Sequence, residues 1–72
     1  MKPNPEVAFA AKIEKARKLN AEMQDARLVL RAADALRIDP FFYRIVNEKH
    51  VKATEKFIRF MQKNALPIGM FN

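Results

Sequence analysis

Glycine and proline are nearly absent from this sequence, and that scarcity is its most informative property. The 72 residues include one glycine and four prolines, and only Pro40 interrupts the chain between Glu6 and Leu66. Since these two residue types mark most loops and turns, their absence predicts long uninterrupted helices. We therefore expect an all-α fold, a helical hairpin with one helix over residues 5–38 and a second over residues 40–64.

Cysteine, serine and tryptophan are also absent from the sequence. Without cysteine no disulfide can form, and the single histidine, His50, does not supply the ligands of a structural zinc site. No spacing in the sequence brings a nucleophile, a base and an orienting group together. We recognise no family motif, and we predict a non-enzymatic protein with no catalytic residues, no metal, no cofactor and no small-molecule substrate.

Long hydrophobic runs are missing too. No uncharged stretch approaches the ~20 residues that a transmembrane helix requires. The first residues do not resemble a secretory signal, because the apolar run from Val7 to Ala11 stops at Lys12. We therefore expect a protein that is cytoplasmic, or carried within the assembly that it binds, with no membrane partner.

Local signals predict where the helices begin and end. Asn4 and Asp39 are good N-cap residues, and each is followed by a proline at the first helical position. Asn20 is the only candidate for a break in the first helix, and a break there would give three helices instead of two. Beyond the second helix lies an apolar tail, residues 65–72, which we expect to dock on a surface.

The apolar residues are distributed unevenly along the first helix. Residues 26–38 are apolar over most of the helix circumference, which predicts that this half is the buried centre and that the N-terminal half is an exposed arm. Phe41, Phe42 and Tyr43 are predicted to pack at the corner between the helices. His50 lies on the apolar stripe of the second helix, where we expect it to be packed and hydrogen-bonded.

Two helices in contact cannot enclose this many large apolar side chains. Three arrangements remain open: a dimer that forms a four-helix bundle, a three-helix bundle folded back at Asn20, or a hairpin docked on a larger protein. The predicted function is accordingly protein binding or assembly, with a second copy or a larger assembly as the partner. The predicted interface anchors are Leu30, Leu36, Phe42, Phe57, Phe60 and Phe71.

The net charge of +6 suggests an alternative function. Five cationic residues recur every three or four positions and share one side of the second helix; we call them the basic stripe: Lys49, Lys52, Lys56, Arg59 and Lys63. Such a stripe can lie along a phosphate backbone, so the alternative is sequence-independent nucleic-acid binding, for example in a nucleoprotein particle. The competing interpretation is a solvated face on which Glu48 and Glu55 pair with Lys52 and Arg59. A second cluster is predicted to pair with acidic residues: Arg27, Arg31, Arg37 and Arg44.

Overall fold

The computed structural model describes residues 4–71, and these residues form two long helices and one short one. Helix α1 spans Pro5–Ala35, helix α2 spans Pro40–Lys63, and a 3-10 helix spans Ile68–Phe71, with no strand in the described part of the chain. The two α-helices pack against each other as a hairpin. The all-α prediction is therefore confirmed. Helix α1 runs through Asn20 without a break, so the three-helix alternative is wrong.

Both helices begin where the sequence predicts. The side chain of Asn4 accepts a hydrogen bond from the backbone N–H of Glu6 at 2.9 Å. The side chain of Asp39 accepts one from the N–H of Phe41 at 2.8 Å. These bonds satisfy backbone donors that have no partner inside the helix, and the proline after each cap has no N–H that would need one.

The first helix ends three residues before its predicted end. Arg37 adopts a left-handed backbone conformation with φ of 49°. Its N–H donates to the carbonyl of Asp34, and the N–H of Ile38 donates to the carbonyl of Ala33, both at 3.2 Å. This pair of bonds is a Schellman motif, which closes the last turn and turns the chain out of the helix. Pro40 also disfavours helical geometry at Asp39.

A second Schellman motif ends α2, one residue before its predicted end. Ala65 has φ of 52°, and the N–H of Leu66 donates to the carbonyl of Met61 at 2.8 Å. Glycine usually occupies this left-handed position, because a side chain there costs roughly 1–2 kcal/mol. Both helices of the hairpin therefore end on a residue with a strained backbone.

Replacing Ala65 by glycine should raise the free energy of unfolding by about 1 kcal/mol, because glycine adopts φ of 52° without a steric penalty. Urea unfolding followed by circular dichroism measures the change. The matched control is Ala21→Gly in the exposed interior of α1, which should lower the free energy of unfolding by about 0.5–1 kcal/mol. Shifts of the same sign in both variants would contradict this account of the α2 terminus.

The hydrophobic core lies towards the open end of the hairpin, away from the loop that joins the helices. Its buried members are Ala16 and Leu19 from α1 and Phe57 and Met61 from α2. Within the C-terminal half of α1, Ala33 is the one buried residue. In the isolated chain this half is therefore not the buried centre, and its burial by a partner stays a prediction. The prediction that the N-terminal half is an exposed arm is wrong, because Ala16 and Leu19 of that half lie in the core. The small side chain of Ala16 provides the space that Phe57 and Met61 fill.

The C-terminal tail folds back onto this core. Leu66 and Phe71 pack against the buried cluster, and the ring centroids of Phe71 and Phe57 are 6.5 Å apart. Ile68 lines a shallow cleft together with Asn20 and Thr54, so the 3-10 helix lies over the side of the hairpin that presents these residues. The surface on which the described part of the tail docks therefore belongs to its own chain.

Truncation after Leu66 should lower the free energy of unfolding by about 2 kcal/mol. This value combines the loss of a half-buried phenylalanine with the loss of its aromatic contact to Phe57. Thermal unfolding of the full-length and truncated chains measures it. Met70→Ala is the control, because this exposed side chain in the same tail should change stability by less than about 0.5 kcal/mol. Unchanged stability after truncation would show that the tail is not part of the core.

The hairpin leaves an unusually large surface uncovered. Its radius of gyration is 15.5 Å, against roughly 11 Å for a compact domain of this length. Its accessible surface is 5982 Å², against roughly 4600 Å² for a compact protein of this mass. The excess is larger than the roughly 800 Å² that each partner buries in a standard interface. The molecule therefore has enough uncovered surface for at least one partner.

Candidate interaction surfaces

The end of the hairpin at which α1 and α2 are joined carries a group of exposed apolar side chains. We call this end the closed end. Leu36 is 76% exposed, Phe41 66% and Phe42 59%, although each is a large apolar residue. The group, which we call the closed-end apolar surface, consists of Val29, Leu36, Phe41, Phe42 and Ile45.

The prediction that the three aromatic residues pack at the corner is wrong for two of them. Consecutive residues of a helix point about 100° apart, so Phe41, Phe42 and Tyr43 cannot all face α1. Tyr43 is half-buried, whereas the two phenylalanine rings meet each other edge to face at a centroid distance of 5.5 Å. Together these rings form an exposed aromatic pair at the start of α2.

The predicted interface anchors fall into three groups in the structure. Leu36 and Phe42 are exposed and belong to the closed-end apolar surface. Leu30, Phe60 and Phe71 are half-buried within the chain. Phe57 is 2% exposed and forms part of the core, so its side chain cannot reach a partner while the hairpin is folded.

A basic groove runs along α2 towards the open end. Its volume is about 290 Å³, and it is lined by five cationic side chains and one carboxylate around Leu19 and Phe60. Four of the cations, Lys52, Lys56, Arg59 and Lys63, belong to the basic stripe, and the carboxylate is that of Glu55. The fifth member of the stripe, Lys49, lines a neighbouring groove. All five residues of the stripe are exposed.

The fifth cation of the groove, Lys15, comes from α1 and was missed by the sequence analysis. Its Nζ lies 5.2 Å from the centroid of the Phe60 ring, a distance at which the cation is attracted to the aromatic face. Lys15 lies one turn before Leu19, whose side chain packs in the core with Phe57. Lys15 could have been identified from the sequence by aligning the two helices antiparallel, with Leu19 beside Phe57.

His50 is packed as predicted, but the predicted hydrogen bonding is incomplete. The side chain is half-buried, and its Nε2 atom is buried without a hydrogen-bond partner among the described residues. The backbone carbonyl of His50 accepts a hydrogen bond from the hydroxyl of Thr54 at 2.8 Å. Across residues 4–71, no group of three histidine, cysteine or acidic side chains is arranged to hold a metal ion.

The arginine cluster is spread over the surface. Its four members are all exposed: Arg27, Arg31, Arg37 and Arg44. Arg37 lines a shallow cleft at the closed end together with Asp34 and Tyr43. That these arginines pair with acidic residues stays a prediction.

Comparison with known proteins finds no relative. No protein-family model matches the sequence, no curated protein is significantly similar to it, and no solved structure matches the hairpin. In the part of the chain that the structure describes, neither helix contains a segment that is apolar enough to cross a membrane.

Proposed function

We propose that this chain is a non-catalytic protein-binding subunit that docks through the closed-end apolar surface. The observation that carries the proposal is the exposure of three large apolar side chains, those of Leu36, Phe41 and Phe42, at the end of the molecule where the two helices are joined. Folded proteins that work alone seldom leave a contiguous apolar surface of this kind in water, and such surfaces mark interaction sites. Aromatic side chains are also the residues that most often dominate the energy of an interface.

The free energy available at the closed end suggests how large the interface must be. Burying what remains exposed of Leu36, Phe41 and Phe42 would contribute roughly 3–6 kcal/mol, since full burial of each side chain contributes roughly 1.5–3 kcal/mol and each is about two thirds exposed. Association costs about 4–15 kcal/mol in lost translational and rotational freedom. The closed end by itself would thus only about offset the cost of binding, and a stable complex requires contacts along the rest of the hairpin.

Site-specific crosslinking tests the proposal. A photoreactive benzoylphenylalanine placed at position 42, in cells that naturally express the chain, is expected to give an adduct of discrete mass. The matched control places the same group at position 9, because Phe9 is 56% exposed, close to the value for Phe42, but lies near the start of α1. An adduct of twice the chain mass identifies a second copy as the partner, and any other discrete mass identifies a different protein.

Two outcomes of the crosslinking experiment would contradict the proposal. No adduct from position 42, or the same adducts from positions 42 and 9, would contradict docking through the closed end. A double variant, Leu36→Ser with Phe42→Ser, provides a second measurement, because both side chains are exposed and their loss should leave the fold intact. This variant should lose the partner, while Val7→Ser with Phe9→Ser should retain it.

A second candidate function, sequence-independent nucleic-acid binding, is favoured by one specific observation. Lys15 of α1 extends the basic groove beyond the helix that carries the stripe, so cations of both helices surround Phe60. A groove lined by several cations can follow a phosphate backbone, and each contact releases a counterion. The same groove contains Glu55, which opposes the field of its neighbours.

A further inference from the structure

The two surfaces described above are joined by a third, a small groove in the middle of the hairpin. This middle groove has a volume of about 210 Å³ and lies between the helices. Its lining is mainly apolar, with one residue of each charge sign: Asp25, Ala26, Val29, Val46 and Lys49.

Seven-residue spacings place the middle groove and the basic groove on one side of the hairpin. Residues seven apart lie on the same side of a helix, two turns and about 10 Å along its axis. On α1, Leu19 lines the basic groove and Ala26 the middle groove; on α2, Lys56 lines the basic groove and Lys49 the middle groove. The two grooves therefore follow one another on the same side of the hairpin, and we call this side, from the basic groove to the closed end, the channel.

The same spacing extends the channel to the closed end. Leu36, the C-cap residue of α1 with a helical backbone conformation, follows Val29 by seven residues, and Phe42 precedes Lys49 by seven on α2, so both belong to this side. No residue in the described part of the tail lines either groove. Ile68 of the tail lies beside Thr54, which is two positions from Lys56 and therefore about 200° around the helix from it.

The channel changes character along its length. Its closed-end segment presents Leu36 and Phe42, and both of these side chains are exposed. The middle segment is mainly apolar, and the segment towards the open end is cationic, with Lys15, Lys56 and Lys63 along it. An occupant of the whole channel must be apolar at one end and negatively charged at the other.

An occupant that is apolar at one end and acidic at the other is a partner protein, and neither a nucleic acid nor a second copy of this chain matches that description. A nucleic acid matches the cationic segment, but it offers no side chain to bury the leucine and phenylalanine at the closed end. A second copy of the chain has a net charge of +6 and would bring like charge towards the cationic segment. A helix is the element that best fits the space between two helices, because its side chains fill the grooves of its neighbours.

We infer that the channel binds one amphipathic helix of a partner protein, with apolar residues over Leu36 and Phe42 and acidic residues beside Lys15 and Lys56. This inference rests on the proposed function and specifies the partner's chemistry. The added helix would turn the hairpin into a three-helix bundle. It would also supply the contacts that the closed end lacks by itself. The acidic end would select the partner and set its direction along the channel.

Three synthetic peptides test the inference. Each peptide is an amphipathic helix about as long as α2, with leucines at positions i, i+3, i+4 and i+7. The three peptides differ only at the exposed positions of one terminal half. These positions are glutamate in the first peptide, glutamine in the second and lysine in the third. Fluorescence anisotropy of the labelled peptides is expected to show at least tenfold tighter binding for glutamate than for glutamine, and weakest binding for lysine. High salt should reduce these differences.

Charge reversal at two positions in the protein should remove this order. In Lys15→Glu with Lys56→Glu, three cations and three carboxylates would line the basic groove, so the glutamate, glutamine and lysine peptides are expected to bind about equally. The matched control, Arg31→Glu with Arg44→Glu, makes the same change in net charge at exposed positions that line neither groove of the channel, and it should preserve the original order. An unchanged order in the first variant would overturn the inference.

The remaining outcomes separate this inference from the proposed function. If the glutamate and glutamine peptides bind equally and both lose affinity in Phe42→Ser, apolar docking stands and the acidic end is wrong. If no peptide binds more tightly than about 1 mM, the inference falls, and the crosslink from position 42 decides the proposed function separately. A crosslinked dimer through position 56, or duplex DNA that binds more tightly than the glutamate peptide regardless of Phe42→Ser, overturns it in favour of those occupants.

Discussion

Phe57→Ala is expected to lower the free energy of unfolding by about 3–5 kcal/mol, the range found when a buried phenylalanine is replaced by alanine. Phe57 is 2% exposed and lies in the core with Ala16, Leu19 and Met61. The loss would remove at least about a quarter of the stability of the hairpin, since a domain of 72 residues has roughly 4–11 kcal/mol in total. The core has few other buried side chains that could compensate.

Phe41→Ala is the matched control for this prediction. The residue type and the helix are the same, but Phe41 is 66% exposed, so its replacement should change the free energy of unfolding by less than about 0.5 kcal/mol. Urea unfolding followed by the helical circular dichroism signal measures both variants. Equal midpoints for the two variants would show that the core is not where the structure places it.

The difference in stability between the Phe57 and Phe41 variants also determines how variants that test an interface are interpreted. Phe57 was predicted to be an interface anchor, and a variant at this position would lose any partner simply because the chain unfolds. Phe42 and Leu36 are free of this ambiguity, since both are exposed in the folded hairpin. Binding experiments on this protein therefore require exposed positions, with helicity measured alongside the affinity.

The helices and their first residues could be predicted from the sequence because they depend on local chemistry. Asn4 and Asp39 cap the helices through hydrogen bonds to residues two positions later, and such contacts need no tertiary information. The ends of the helices were harder to predict. Arg37 and Ala65 adopt the left-handed conformation that usually requires glycine, and the composition of the chain gives no sign of it.

The position of the core could not be predicted, because it depends on which parts of the two helices face each other. The C-terminal half of α1 is the more apolar half, yet the large buried residues of α2 are Phe57 and Met61, near its end. An antiparallel hairpin brings the end of α2 beside the N-terminal half of α1, where Ala16 and Leu19 receive them. The most apolar segment thereby lies beside the N-terminal half of α2, which covers only part of it, and Ala33 is its one buried residue.

The basic groove could be predicted only in part, because it too depends on which parts of the two helices face each other. The stripe on α2 follows from helical periodicity alone, so four of the five cations lining the groove were identified. Lys15 lies on the other helix, and only the register of the hairpin brings its Nζ to the ring of Phe60. The contrast along one side of the hairpin, between Leu36 and Phe42 at the closed end and the cations of the basic groove, is thus a property of the folded pair and not of either helix.

Duplex DNA is expected to bind the basic groove weakly, with an affinity that falls steeply with salt. If the five cations of the groove each contact a phosphate, the logarithm of the binding constant should fall with a slope of about −4.5 against the logarithm of salt concentration. Between about 50 and 200 mM salt the affinity should then fall roughly 500-fold. Fluorescence anisotropy of a labelled duplex over a salt series measures the slope.

A positive net charge alone attracts DNA, so the control must separate the groove from the overall charge. Lys52→Glu, Lys56→Glu and Arg59→Glu together should abolish binding and leave the helical signal unchanged, because all three side chains are exposed. The triple variant Arg27→Glu, Arg31→Glu and Arg44→Glu changes the net charge equally at exposed positions outside the basic groove. If both triple variants lose affinity to the same degree, the attraction comes from net charge, and the groove is not a nucleic-acid site. A selective loss in the first would instead locate nucleic-acid binding in the basic groove, the groove in which we infer that the acidic end of a partner helix binds.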